Sequence, residues 1–175
     1  KGTVSVGANN VKVDFNSNLI TFPPIVDLNG AGTGTGFEAE FRSLPVAIVG
    51  TTSTVTDGDN ANLSSLTAAI TNFQAGDTLD VTVSSGITKT FSAGVLTLRG
   101  SGTLSAYQTV LRTLIFNTTS TNSTSRTIAV KANDGGGDGP VATATVKIQL
   151  VTTPIIDLNG SASGTGFTAK FNATP

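Results

Sequence analysis

The chain has 175 residues, enough for one well-cored domain with something to spare and too few for two domains of full size. Charged residues make up 12% and the net charge is −1, so the basic residues, scattered singly, offer no patch to nucleic acid or to anionic lipid. Cys, His, Met and Trp are all missing, which removes thiolate nucleophiles, imidazole bases, Ser-His-Asp triads and the common zinc and iron ligands. A hydrophobic share of 38% argues against disorder. In chain order, Thr3–Val6, Val11–Phe15 and Leu19–Phe22 read as two or three strands, with Ala8-Asn9-Asn10 and Asn16-Ser17-Asn18 as turns. Apolar residues then recur every second position in Phe37-Ala39-Phe41, Leu79-Val81-Val83, Val95 to Leu98, Ile128-Val130 and Val141 to Leu150, a period that means strands. Turn clusters at 74–77, 84–86, 92–94 and 134–139 separate them. One helix is predicted over Ser105–Leu111, where Leu104, Tyr107, Val110 and Leu111 fall at helical spacings and would cap an edge of the core.

The most informative feature is an internal repeat. Pro24-Ile25-Val26-Asp27-Leu28-Asn29-Gly30 returns as Pro154-Ile155-Ile156-Asp157-Leu158-Asn159-Gly160, and Gly34-Thr35-Gly36-Phe37 as Gly164-Thr165-Gly166-Phe167, at a constant offset of 130 residues. One period is the size of a β-sandwich unit. The chain therefore divides into an N-terminal β-segment, 1–23, that matches no repeat and could cap or exchange strands, a complete unit, 24–153, and the opening strand of a second unit, 154–175.

Thr54-Val55-Thr56-Asp57-Gly58-Asp59-Asn60-Ala61-Asn62-Leu63, Gly94-Val95-Leu96-Thr97-Leu98, Tyr107-Gln108-Thr109-Val110-Leu111-Arg112 and Ala132-Asn133-Asp134-Gly135 follow in this order across nearly all of the unit. In these motifs the sequence resembles the tandem cadherin-like, immunoglobulin-sandwich repeats of large bacterial surface adhesins. The resemblance implies an all-β, immunoglobulin/cadherin-like β-sandwich repeat, here with extra β-strand segments at both ends. It also implies an extracellular, cell-surface stalk with calcium held by acidic loops at repeat junctions. The first 22 residues depart from the pattern, because Val11–Phe22 does not match the strand at 141–152 that would end a preceding repeat.

Calcium takes roughly six to eight oxygen ligands, usually from carboxylates a residue or two apart on a loop. Three places qualify: Asp57, Asp59 and Asn60 on one turn; Asp134 and Asp138 around a triple glycine; and Asp27 and Asn29, which repeat as Asp157 and Asn159. No EF-hand loop is present, since Ala61 stands where its third ligand would be. If the unit is a seven-strand sandwich, Asp27, Asp134 and Asp138 lie at its top, and the Asp57 loop lies at the bottom beside Asp157 and Asn159. A full extra strand at 87–91 would change that parity. The alternative is that these residues are turn formers bonding their own backbone. Glu38 and Glu40 give way to Thr168 and Lys170 in the second copy, so they read as solvent-facing strand residues.

An enzyme is not expected. Asp57 and Asp59 are too exposed on a turn to serve as a glycosidase pair without an apolar pocket, and Gly32 to Gly36 lacks the Lys and following helix of a phosphate loop, reading instead as a flexible lead-in. No window approaches the roughly 18 apolar residues of a membrane span. The missing Cys and Met suit an oxidising, extracellular setting, and a chain opening on Lys1 without a leader is expected to be a processed mature protein or a piece of a larger one. Asn62, Asn117, Asn122 and Asn172 open N-x-Ser/Thr sequons. The function expected is that of a bacterial stalk or head-to-tail filament segment in adhesion or biofilm. Its partners would be copies of itself, through strand exchange or tandem neighbours, or surface glycans. The alternative is a carbohydrate- or receptor-binding module at an adhesin tip or in a phage fibre, which would ordinarily show aromatic platforms that this Trp-free chain does not suggest.

Overall fold

The computed structural model describes residues 2–6, 9–14, 19–84, 86–149, 156–158 and 163–169. The N-terminal segment is a three-stranded antiparallel sheet of β1 (Gly2–Val6), β2 (Asn9–Asp14) and β3 (Leu19–Thr21). Asn9 and Asn10 belong to β2 rather than to a turn, because Asn9 pairs with Val6 and Asn10 with Ser5.

After Pro23 and Pro24 the chain enters β4 (Ile25–Asp27), β5 (Phe37–Phe41), β6 (Val46–Ala47), β7 (Thr54–Thr56), β8 (Asn62–Ile70), β9 (Asp77–Asp80), β10 (Thr88–Ser92) and β11 (Val95–Thr103). Helix α1 (Leu104–Leu111), β12 (Ile115–Thr118), β13 (Arg126–Asn133) and β14 (Ala142–Ile148) complete the unit. Six strands form one sheet in the order β10-β11-β8-β13-β14-β5, three form a second, β6-β12-β9, and β4 pairs with β7. The two larger sheets share one apolar core, so the fold is all-β and consistent with a β-sandwich. Phe41 and Phe116 meet edge to face across it with ring centres 5.8 Å apart.

Period-2 alternation predicts the core faces of the long strands. On β14 the residues Ala142, Ala144, Val146 and Ile148 are buried, and on β13 Ile128, Val130 and Ala132 are buried. Leu150 lies outside the described residues. Two details differ from the alternation. β9 ends at Asp80, leaving Val83 exposed, and Val95 opens β11 on its outer face while Leu96 and Leu98 point inward. The hairpin between β10 and β11 turns through Ala93 (φ 47°) and Gly94 (φ 82°), the double positive φ that a tight two-residue connection needs. A Cβ on Gly94 would come within 2.7 Å of the Phe73 ring.

Helix α1 starts at Leu104, one residue before the predicted start. The Thr103 side chain caps it by accepting from the Ala106 N–H at 3.1 Å. Its buried face is Tyr107, Val110 and Leu111. Tyr107 reconciles burial with its hydroxyl by donating to the Gly100 carbonyl at 2.6 Å.

The unit exceeds the seven strands assumed for placing its loops. β10 is the extra strand, and β7 returns antiparallel against β4, with Ile25 opposite Thr56 and Asp27 opposite Thr54. The residues after β7 therefore stand at the end where the chain came in. At the opposite end an ion pair ties the two sheets. Asp77 on β9 and Arg126 on β13 are both fully buried, with Nε 2.6 Å from Oδ2. The guanidinium also donates to the carbonyls of Thr124 and Asn122.

Candidate metal site at the lead-in end

The antiparallel return of β7 decides which acids meet. Asp57, Asp59 and Asp134 converge with one carboxylate oxygen from each within 4.8 Å of the others, a cluster that could hold a metal ion. The pairing of the Asp57 loop with Asp157 and Asn159 at a far end is thus corrected: Asp57 shares the lead-in end with Asp134.

Each acid is held by its own loop. Asp57 Oδ1 accepts from the backbone N–H groups of Asp59 and Asn60, both at 3.1 Å. Asp134 Oδ1 accepts from Gly136 at 2.8 Å and Gly137 at 3.1 Å. These are the Asx-type bonds of turn formers, so the turn role and the clustering coexist. Asn60 Nδ2 donates to Asp134 Oδ2 at 2.7 Å and links the two loops.

Helix α1 sets the approach of β7. Gln108 Oε1 accepts from the Val55 N–H at 3.2 Å, and Arg112 Nε donates to the Ser53 carbonyl at 3.0 Å. The 104–112 region therefore positions the acids as well as covering the core. On the other loop, Ser64 donates to the Asn133 carbonyl at 3.0 Å, anchoring the end of β13 from which Asp134 projects.

The linker completes the site. The Phe22 N–H donates to Asp59 Oδ1 at 3.0 Å, and Phe22 and Pro23 stand between two clefts, one lined by Asp134, Gly136, Gly137 and Asp138 and the other by Ile25, Thr56, Asp57 and Gly58. Only glycine fits at 139, because a Cβ there would lie 1.7 Å from the Pro24 carbonyl oxygen. Sequence reasoning placed Phe22 at a strand end and missed this role. The available signal was the Pro23-Pro24 pair, which ends β3 and sends the chain past the acidic loops.

Burial pushes the Asp57 carboxyl above its ordinary range and the Asp59 carboxylate pushes the same way, against the two backbone N–H groups that favour ionisation. Its Oδ2 is buried without a protein partner. Carboxylates at this spacing repel by on the order of 1 kcal/mol per pair even at the dielectric of water. A cation would relieve both the repulsion and the orphaned oxygen, and an all-oxygen donor set suits a hard one.

The other candidate residues lie elsewhere in the bonding scheme. Asp27 Oδ1 accepts from Asn29 N and Gly30 N, while Asn29 Nδ2 donates to the carbonyls of Thr33, Gly34 and Gly36. These bonds stitch together the glycine-rich 30–36 loop, which the sequence reads as a flexible lead-in. Asp138 accepts from Lys131 Nζ and from Asn133 Nδ2, at 2.7 Å for the latter, and these donors hold its carboxyl below its usual range. Asp157 is exposed, and Asn159 lies outside the described residues. Glu38 and Glu40 are exposed strand residues paired with Lys147 and Arg42.

No family model, curated protein or solved structure matches the chain. Among the described residues no helix is long and apolar enough to cross a membrane.

Proposed function

We propose that the chain is a non-enzymatic, extracellular structural repeat of the immunoglobulin/cadherin-like type. It acts as a segment of a bacterial adhesive stalk built from units joined end to end, in tandem along one chain or head to tail between chains. The observation that carries this reading is the repeated linker and its loop. Leu28 N–H bonds the Thr35 carbonyl at 2.9 Å, and 130 residues later Leu158 N–H bonds the Thr165 carbonyl at 3.2 Å. The same local structure is thus built twice along one chain, as serial units require.

In this reading calcium binds at Asp57, Asp59 and Asp134. Bound there, the ion supplies charge neutralisation between the two acidic loops and the linker. The chain's own contribution is to orient the carboxylates through their loop N–H groups and to hold Phe22 against Asp59. All three acids come from one unit, so each junction would be stiffened by the unit that follows it. The supporting chemistry is the hard-oxygen donor set and the orphaned Asp57 oxygen.

The test is calorimetric titration of the full chain with calcium, alongside melting in calcium and in chelator. Calcium at about 100 times its Kd stabilises by about 2.7 kcal/mol if it binds only the folded state. Asp134→Asn should weaken binding strongly while leaving the chelator melt near that of the wild type. No heat of binding and coincident melts would remove calcium from the reading.

A further inference from the structure

The second copy of the opening motif keeps the apolar positions of the first but lacks their cover. Val26 and Leu28 are 1% and 0% exposed, whereas their counterparts Ile156 and Leu158 are 77% and 65% exposed. Phe167, the counterpart of the half-buried Phe37, is 69% exposed. What covers the first copy is the sandwich itself, with β5 lying parallel beside β14. In that ladder Glu40 is the direct partner of Lys147, and Lys147 Nζ reaches Glu38 Oε2 at 2.8 Å. The two acids and the lysine form one compact charge set across the two strands.

The second copy rewrites that set. Thr168 stands in place of Glu38 and Lys170 in place of Glu40, while the apolar Phe-x-Ala-x-Phe frame is unchanged. Placed beside β14 in the β5 register, the second strand would set Lys170 directly opposite Lys147 and leave Lys147 without its carboxylate. Like charges directly opposite on neighbouring strands destabilise the pair. The apolar frame fits the slot in this unit and the charges reject it.

The geometry points to a specific partner for the 156–169 segment: a β-sandwich unit of the same repeat type whose last strand carries an acidic residue where this unit carries Lys147. This rests on the serial-unit reading above and deepens it. The two charge codes keep each opening strand with its own unit and disfavour exchange of strands between identical copies of this chain. The exchange route expected from the sequence is thereby narrowed to neighbours of complementary charge.

Two measurements on the full chain test this, both in chelator so that their outcome does not depend on calcium. Writing the second code into the first strand, Glu38→Thr with Glu40→Lys, should lower the melting temperature by about 2–4 °C at low ionic strength. Adding Lys147→Glu to that variant should restore most of the loss, and the difference should shrink in high salt. Separately, Lys147→Glu in the otherwise natural chain makes the slot favour Lys170. Sedimentation should then show concentration-dependent association roughly tenfold tighter than that of the natural chain, abolished by adding Lys170→Glu. An unchanged melt in the double variant, no restoration by Lys147→Glu, or association indifferent to residue 170 would overturn the inference. Strong association of the natural chain that Lys147→Glu weakens would instead make an identical copy the occupant. Loss of calcium binding with an intact charge-swap rescue would sink the junction-ion reading and leave this one standing.

Discussion

Replacing Asp77 by alanine should be among the most damaging single changes in the molecule. The substitution removes the 2.6 Å bond from Arg126 Nε and the 2.9 Å bond from Gln74 N–H. It leaves a guanidinium with no exposed surface facing only the carbonyls of Thr124 and Asn122. Stranding one member of a buried pair costs about 3–5 kcal/mol. At about 2–4 °C per kcal/mol for a chain of this size, the melting temperature should fall by about 10 °C. The assay is urea denaturation with thermal melting as a cross-check. A second variant, Asp77→Ala with Arg126→Met, removes both charges and should recover much of the loss, because apolar replacement of a whole buried pair is often close to neutral. A loss below about 1 kcal/mol for Asp77→Ala, or a double variant no better than additive, would refute the idea that this pair fastens the two sheets.

Other expectations concern the lead-in end and the surface. Because the folded state raises the Asp57 pKa, that group favours the folded protein in acid and the benefit is lost as pH rises through its folded pKa. Without a cation, Asp57→Asn should therefore melt at or above the natural chain at neutral pH while no longer responding to calcium. Asp80, Asp138 and Glu38 have folded pKa values lowered, chiefly by bonds from Lys89, Lys131 and Lys147. Their contribution is present above the ordinary carboxylate range and lost as pH falls through the lowered values, so an acid titration of the melt should steepen there and flatten in high salt. Gly139→Ala drives a methyl group into the Pro24 carbonyl and should cost about 1–3 kcal/mol, read by denaturation. Tyr107→Phe leaves the Gly100 carbonyl without its 2.6 Å donor and should cost about 1–2 kcal/mol in the same assay.

Strand faces were legible wherever alternation ran long, as on β13 and β14, because a half-buried strand forces a period of two. The helix was legible because Tyr107, Val110 and Leu111 break that period. Loop placement was not, because it depends on how many times the chain reverses. The short β7, only Thr54–Thr56, carries no alternation of its own, yet its pairing with β4 decides where Asp57 lies. The convergence of Asp57 and Asp59 with Asp134 was hidden for the same reason. Asp27 and Asn29 illustrate the reverse difficulty. Their chemistry reads equally well as ligand or as turn, and only the bonds to Gly30, Thr33, Gly34 and Gly36 show them holding a loop. The Asp77–Arg126 pair had no local signal, since its members stand 49 residues apart.

The parallel pairing of β5 and β14 has a consequence for tension. The chain comes in at the end near Pro24 and leaves past Ile148, after β14 has run alongside β5 through five registered positions from Phe37–Ala144 to Phe41–Ile148. Pulled through the chain on either side, these neighbours would be drawn past one another along their length, so their rungs would stretch together instead of opening one after another like a zip. The Gln149 N–H, bonded to the Phe41 carbonyl at 2.8 Å, adds a final rung at the point where the pull arrives. A unit wired in this way resists extension by shear, and that is the direction in which a tethered cell under flow would strain it.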